Sequence, residues 1–171
     1  SGKVQLVGIT RDISERKKAE KALKILEQRN AALIENAPDG ITVLDATGHI
    51  VFMSPASSQI FGRPPEEMLG TTIADLIYPP DRPQREETIR KVLAYPGEVF
   101  YCEYRYLHSD GSYHWFAGSY KNLVADESMG GIVVNFRDVT SEKQASELLR
   151  KSQARLELAQ VTVKMGSWEL A

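Results

Sequence analysis

The chain has 171 residues, of which 42% are hydrophobic and 26% charged, values typical of a globular protein and unlike those of a disordered tail or a membrane protein. Its 21 Lys and Arg residues against 23 Asp and Glu residues give a formal charge of −2, which argues against a nucleic-acid or anionic-membrane partner. The single cysteine, Cys102, excludes an intrachain disulfide and a cysteine-rich metal cluster. We therefore expect a cytoplasmic protein that contacts neither nucleic acid nor membrane.

One internal repeat organises the chain. The segment Arg-Asp-Ile-Ser-Glu-Arg-Lys at 11–17 returns as Arg-Asp-Val-Thr-Ser-Glu-Lys at 137–143, each time after a short apolar stretch and before a polar helix. In both helices apolar residues recur at spacings of four and three, and in the second they include Ala145, Leu149 and Leu156. This pattern predicts a weak parallel two-stranded coiled coil and hence a homodimer, with a surface helix lying on its own domain as the alternative for the first turns.

The block between the two helices contains the remaining predicted elements. Two short strands flank a glycine-containing turn, short helical pieces lead into a firmer helix, and three longer strands follow. Such an order predicts an α+β fold, with a sheet covered by helices on one face. The predicted strands are 41–44, 50–53, 98–107, 112–124 and 131–137, and the firmer helix is 82–93.

Four segments of this block resemble the PAS domains of sensory proteins. They are Glu-Asn-Ala-Pro-Asp-Gly-Ile at 35–41, Gly-His-Ile-Val-Phe-Met-Ser-Pro-Ala at 48–56, the Phe-Gly and Met-Leu-Gly signature within 61–70, and residues 104–115 together with Asp-Val-Thr at 138–140. The resemblance implies a PAS fold, a five-stranded antiparallel sheet with helices on one face, flanked by N- and C-terminal signalling helices.

The resemblance also implies a division of the chain. Residues 1–12 look like the end of a preceding PAS domain, 13–36 form a linker helix, 37–140 the PAS domain, 141–160 the exit helix, and 161–171 the start of a following PAS domain. The parent would be a multi-PAS bacterial or archaeal signalling protein. A sensor histidine kinase in a two-component phosphorelay is the family's commonest context, and a diguanylate cyclase is the alternative effector.

Cofactor motifs of the family are missing at the matching positions. Haem-binding relatives supply a histidine from the central helix, and helix 82–93 has none. Photoactive flavin relatives carry a reactive cysteine before that helix, where this chain reads Thr-Thr-Ile-Ala-Asp-Leu-Ile at 71–77, and a glutamine where it has Phe136. Haem and photoactive flavin are therefore disfavoured, and we predict no cofactor, while a non-covalent flavin or a small metabolite stays open.

Strand alternation and the predicted helices select the residues that would line a ligand pocket between sheet and helices. Each of them has an alternative role, since a small domain needs such side chains simply to fill its core. The ligand-pocket candidates are Phe52, Ile73, Leu76, Ile77, Ile89, Leu93, Cys102, Tyr104, Val134 and Phe136.

The junction between the last strand and the exit helix is the predicted route of transmission. Thr140 or Ser141 would cap the helix, and Asp138 matches the family's acid that tethers the helix to the domain. No catalytic motif is found in the sequence, so we expect a sensory module rather than an enzyme. The predicted function is detection of a small ligand in the core and transmission through the helices, and a ligand-free dimerisation or spacer module is the alternative.

Overall fold

The computed structural model describes residues 14–166, with side chains described for 15–158. The first helix, α1, is separated from the other elements by a loop at Pro38, and five strands and four further helices follow. The elements are α1 (Ser14–Glu35), β1 (Gly40–Leu44), β2 (Ile50–Met53), α2 (Pro55–Phe61), α3 (Pro65–Met68), α4 (Arg82–Ala94), β3 (Val99–Leu107), β4 (Tyr113–Leu123), β5 (Gly131–Asp138) and α5 (Thr140–Gly166).

The five strands form one antiparallel sheet in the order β2-β1-β5-β4-β3. The central strand β5 pairs with both β1 and β4, so a displacement of β5 is felt by both halves of the sheet. Short turns join the neighbouring strand pairs β1–β2 and β3–β4, as antiparallel pairing allows. The predicted strands and the predicted fold are confirmed.

The residue contacts divide the chain into two units, Ser1–Asn36 and Ala37–Ala171, so that α1 is separate from all the other elements. Within α1 the ion pair Arg16–Glu20, at i and i+4, supports the helix from its exposed surface. The large apolar side chains of this helix, such as Leu23 and Leu33, are exposed. A helix this polar owes little to burial within its own unit.

The turn from β2 into α2 explains how the helical layer is held against the sheet. Pro55 occupies the first turn of α2, where no backbone N–H is needed, and the Ser54 hydroxyl accepts the N–H of Ser57. Both serines are buried, and the Ser57 hydroxyl donates to the carbonyl oxygen of Ile41 on β1 over 2.9 Å. These polar contacts fix α2 directly onto the inner face of the sheet.

The exit helix α5 differs from the prediction at its C-terminal end. It continues to Gly166, past the predicted end at residue 160. Residues 161–166 are therefore helical, and the exit helix extends into the segment that we predicted as the start of a following PAS domain. The rest of that segment, 167–171, and the predicted end of a preceding PAS domain at 1–12 lie outside the described residues.

Candidate functional site

The space between the helices and the inner face of the sheet is filled mainly by aromatic rings. Phe116 of β4 lies at the centre, with its ring centroid 4.5 Å from Phe136, 4.8 Å from Tyr104 and 6.1 Å from Tyr106. Phe61 from α2 closes this cluster, at 5.1 Å from Phe136. We call these residues, with Tyr120, the aromatic core.

Most of the predicted pocket residues do lie in this interior. Leu76 and Ile89 are partly buried and pack against the core cluster from the helical layer. The buried members of the predicted set are Ile73, Ile77, Cys102, Tyr104, Val134 and Phe136.

Phe52 is wrongly predicted, since its side chain is 39% exposed. The pairing of β1 with β2 is irregular, because Val43 faces Phe52 while the next residue, Leu44, faces Ile50. The extra residue in β2 breaks the alternation, so that Ile50 and Met53 point inward and the two residues between them point outward.

Leu93 is also wrongly predicted, since it is 47% exposed. Val92, its neighbour on α4, is fully buried and joins the core in its place. Ile89 and Val92 are three residues apart and share the helix face that meets the sheet, whereas Leu93 has turned away from it. Both three- and four-residue spacings fit a helix face, and the packing of α4 decided between them.

Little free volume remains in the aromatic core. The cavity between Phe61, Ile73, Tyr120 and Phe136 measures about 10 Å³, roughly the space of a single water molecule. A metabolite would enter this interior only if rings such as Phe61 moved aside.

Cys102 and two tyrosine hydroxyls form a buried polar patch within the aromatic core. The hydroxyls of Tyr104 and Tyr120 are hydrogen-bonded to each other. Burial raises the pKa of the Cys102 thiol to about 12, and burial likewise raises the pKa of Tyr104 well above its usual value. All three groups are therefore protonated at neutral pH, and Cys102 is not a reactive thiolate.

At the end of the sheet, Asp138 joins three elements. Its Oδ2 lies 2.6 Å from Nδ1 of His114 on β4 and accepts the hydroxyl of Tyr106 on β3 over 3.3 Å. Its Oδ1 accepts the backbone N–H of Thr140, the first residue of α5, over 2.8 Å. The carboxylate of Asp138 thus connects β3, β4 and the exit helix, and we call these four residues the junction.

The charge of Asp138 is maintained by the same contacts. Burial raises the pKa of this carboxyl, but the hydrogen bonds from Thr140 and His114 outweigh burial and leave the pKa below its usual value. Asp138 is therefore ionised at neutral pH, as its three hydrogen bonds require.

The predicted capping role of Thr140 is corrected by the structure. Its hydroxyl oxygen accepts the backbone N–H of Trp115 on β4 over 2.8 Å, so the side chain bonds to the sheet and not to its own helix. Asp138 instead takes up the first free N–H of α5, and the carbonyl of Val139 accepts the N–H of Lys143. Thr140 therefore acts as a second link between helix and sheet.

A further attachment lies one turn into α5. Lys143 forms an ion pair with Glu103 of β3, and its ammonium group lies 5.2 Å from the centre of the Trp115 ring. The pair is well exposed, so we expect it to contribute little to stability. It orients the first turn of α5 over the outer face of the sheet.

His114 is the functional residue that the sequence analysis did not select. As an isolated histidine beside a hairpin, it looked like an edge residue, and its partner Asp138 is 24 residues away in the chain. The recurrence of Asp-x-Thr/Ser-x-His, at 45–49 and again at 110–114, is the signal that could have drawn attention to it.

The sequence and the fold of this chain are similar to those of known proteins. The family model described as PAS fold matches residues 50–133. A PAS domain from Colwellia psychrerythraea is 26% identical, with a TM-score of 0.59 over 68% of this chain and 98% of that one. A PAS domain of an HTR-like protein from Haloarcula marismortui is 28% identical, with a TM-score of 0.56 over 71% of this chain and 98% of that one. The domain that contains residues 50–133 is a PAS domain.

Curated relatives of this PAS protein include sensor kinases. Sensor histidine kinase TmoS of Ectopseudomonas mendocina is 26% identical over 148 residues, which are 86% of this chain and 15% of that protein. Sensor protein FixL of Bradyrhizobium diazoefficiens is 33% identical over 86 residues, which are 50% of this chain and 17% of that protein. The chain thus spans less than a fifth of the length of either relative.

The exit helix of the PAS domain leaves its predicted seam residues exposed. Leu149 and Leu156 are both more than half accessible, and Ala145 is exposed as well.

Among residues 14–166, no helix combines the length and the apolar composition that a membrane span needs.

Proposed function

We propose that this PAS domain is a sensory and transmission module of a larger signalling protein, a sensor histidine kinase, and that α5 carries its output. The observation that carries the proposal is the junction, where one carboxylate, that of Asp138, bonds two strands and the first residue of the exit helix. The kinase context is supported by relatives such as TmoS and FixL.

The coupling between core and helix follows from the geometry of β5. Phe136 packs in the aromatic core, and Asp138, two residues later on the same strand, holds the N–H of Thr140. A shift of β5 caused by a change in the core therefore acts directly on the start of α5. A cue drives this change only if it binds two states of the domain with different affinities, and a difference of a few kcal/mol is enough.

Dimerisation through the exit helix forms the second part of the proposal. Ala145, Leu149 and Leu156 follow the four-and-three spacing of a coiled-coil seam, and all three are exposed on the described chain. A second copy of this helix would bury the stripe and convert a rotation or fraying of α5 into a change that a downstream effector reads. Native mass spectrometry of the purified chain reports the dimer directly.

The filled interior favours a second candidate function. With about 10 Å³ of free space in the aromatic core, the domain could act as a ligand-free spacer that sets the geometry of the dimer. Native mass spectrometry separates the two functions, since a sensor of core ligands would carry a small molecule and a spacer would not.

Hydrogen–deuterium exchange on the Asp138→Ala variant tests the junction. We expect exchange at the amides of Thr140 and Lys143 to accelerate at least about tenfold more than exchange in β3 and β4, because the start of α5 loses its link to the sheet. The matched control is Asp126→Ala, which removes an aspartate that bonds only its own turn, at Ser128 and Met129.

Two results would contradict the proposed coupling. Unchanged exchange at α5 in Asp138→Ala would mean that the helix is attached to the sheet without this carboxylate. Equal acceleration in α5 and throughout the sheet would mean that Asp138 serves only the stability of the fold and not the transmission.

A further inference from the structure

The turn between β3 and β4 brings two histidines and an aspartate together. One donor atom from each of His108, Asp110 and His114 lies within 4.8 Å of the other two. Nδ1 of His108 is 3.2 Å from the Asp110 carboxylate, and Nε2 of His114 is 3.6 Å from it. The histidine rings are stacked, with 4.5 Å between their centres.

These separations suit a tetrahedral metal site. A Zn²⁺ ion binds histidine nitrogen and carboxylate oxygen at about 2.0–2.2 Å, so neighbouring ligand atoms in a tetrahedron are roughly 3.4 Å apart. The observed distances, 3.2 Å from His108 to Oδ1 of Asp110 and 3.6 Å from His114 to Oδ2, lie on either side of that value. Rotation of the Asp110 carboxylate to present one oxygen, and a closer approach of the two imidazoles, whose donor nitrogens lie within 4.8 Å, would complete the ligand set.

The surroundings of His114 prepare its outer nitrogen for a metal. Nδ1 of His114 lies 2.6 Å from Oδ2 of the ionised Asp138, so the ring carries its proton on Nδ1 and directs the lone pair of Nε2 toward Asp110. Such a carboxylate behind the distal nitrogen is what orients histidine ligands in zinc sites.

Ser112 also lies at Nε2 of His114, at 3.0 Å, and it lies 2.6 Å from Oδ1 of Asp110. Its hydroxyl has a single proton, which the shorter contact directs to the carboxylate. The lone pair of Nε2 thus stays available, and the carboxylate of Asp110 is held in position by Ser112 through its backbone N–H as well.

The position of His108 is fixed from the opposite side. The His108 side chain packs closely against Gly62. A Cβ atom added at Gly62 would lie only 2.4 Å from Nε2 of His108, so there is no room for a larger residue. Nδ1 therefore faces Asp110, where it also accepts the backbone N–H of that residue over 3.2 Å. A metal ion would compete with this long hydrogen bond for the same lone pair.

We propose that His108, Asp110 and His114 form a binding site for a divalent transition-metal ion, with Zn²⁺ as its representative. Two imidazoles and one carboxylate select zinc, nickel or copper over magnesium and calcium, which prefer oxygen ligands throughout. Asp110 is half exposed, so the ion enters from solvent and keeps a coordination position for water.

The site shares His114 with the junction. The ion would bind Nε2 of His114, and Nδ1 of the same ring contacts Asp138, which holds the start of α5. Metal binding would thus strengthen the contact that fixes the exit helix. This consequence rests on the proposed function, whereas binding of the metal does not.

Isothermal titration of the full chain without an affinity tag, with ZnCl₂ as the probe and MgCl₂ for comparison, tests the site. We expect one Zn²⁺ per chain, no heat from Mg²⁺, and at least about a tenfold loss of Zn²⁺ affinity in His108→Gln and in Asp110→Asn, since loss of even an outer partner costs that much. The matched control is His49→Gln, because His49 also lies in a turn with an aspartate four residues before it, yet belongs to no such cluster among the described residues.

The outcomes separate the two proposals. Absence of Zn²⁺ binding, equal binding of Mg²⁺, or affinity lost in His49→Gln and kept in His108→Gln would overturn the metal site. Circular dichroism establishes that each variant is folded, and Asp110→Asn, at an exposed position, serves if His108→Gln is not. Zn²⁺ binding without slower exchange at Thr140 and Lys143 would retain the site and overturn its link to the exit helix.

Discussion

The turns β1–β2 and β3–β4 share a backbone geometry and differ in what they do with an aspartate and a histidine. In each, the first residue donates its N–H to the carbonyl of the fifth, Asp45 to His49 over 2.8 Å and His108 to Ser112 over 2.9 Å. The fourth residue of each is a glycine with positive φ, 88° in one and 86° in the other. The two turns are therefore the same backbone structure at two places in the sheet.

The difference is a shift of two residues. Asp45 is the first residue of its turn, and its carboxylate accepts the N–H groups of Thr47 and His49 within that turn. Asp110 is the third residue of its turn, so the histidine four residues later, His114, falls on β4 rather than in the loop.

Because of this shift, the first histidine contacts only its own turn, whereas the second contacts a residue far away in the chain. His49 lies 48% exposed beside Asp45. His114 has one nitrogen toward Asp110 and the other toward Asp138, and so it connects the turn with the exit helix. The same five-residue spacing serves turn formation alone in one place and long-range contact in the other.

The largest expected difference is between substitution of Asp138, in the junction, and substitution of Asp45, in the β1–β2 turn. We expect Asp138→Ala to lower the free energy of unfolding by about 2–3 kcal/mol, because it removes the charged partner of the partly buried His114 and of the Thr140 N–H. Asp45→Ala, which loses contacts within an exposed turn only, should cost clearly less. Urea denaturation measures both, and equal losses would show that the junction is no stronger than an ordinary turn.

The two glycines should behave alike. Gly48→Ala and Gly111→Ala would each force a side chain into the left-handed region, at a cost of about 1 kcal/mol in the free energy of unfolding. An added Cβ meets no atom within 4 Å at either position, so the cost is that of the backbone alone. Denaturation midpoints that differ widely between the two variants would contradict the shared geometry.

The smallest effect concerns pH. The hydrogen bonds from Thr47 and His49 lower the pKa of Asp45 to about 2, against 3.8 for the free group, so its ionised form is favoured by folding. This contribution to stability is complete above pH 4 and is lost as the pH falls toward 2. We expect Asp45→Asn to make the fall in stability between pH 4 and pH 2 shallower, and an unchanged slope in denaturation experiments at these pH values would refute the assignment.

Sequence patterns predicted the fold well because the elements are locally encoded. Apolar segments separated by turn signals predicted all five strands within a residue or two, and Pro38 marked the end of the first helix before β1. The residues of the pocket were predicted less well. A bulge in β2 turned Phe52 outward, and the packing of α4 chose Val92 over Leu93, and neither event is visible in a regular period.

By itself, the sequence determined the strands, the central helix and the PAS resemblance, because each depends on residues close together in the chain. Tertiary structure decided how full the aromatic core is, which way Thr140 bonds, and that His114 meets Asp138. Those features depend on strands that are distant in sequence and paired in space, since the register of β4 against β5 brings the two side chains to one end of the sheet. The contacts at the junction therefore depend on the register of β4 against β5, which cannot be predicted from local sequence patterns.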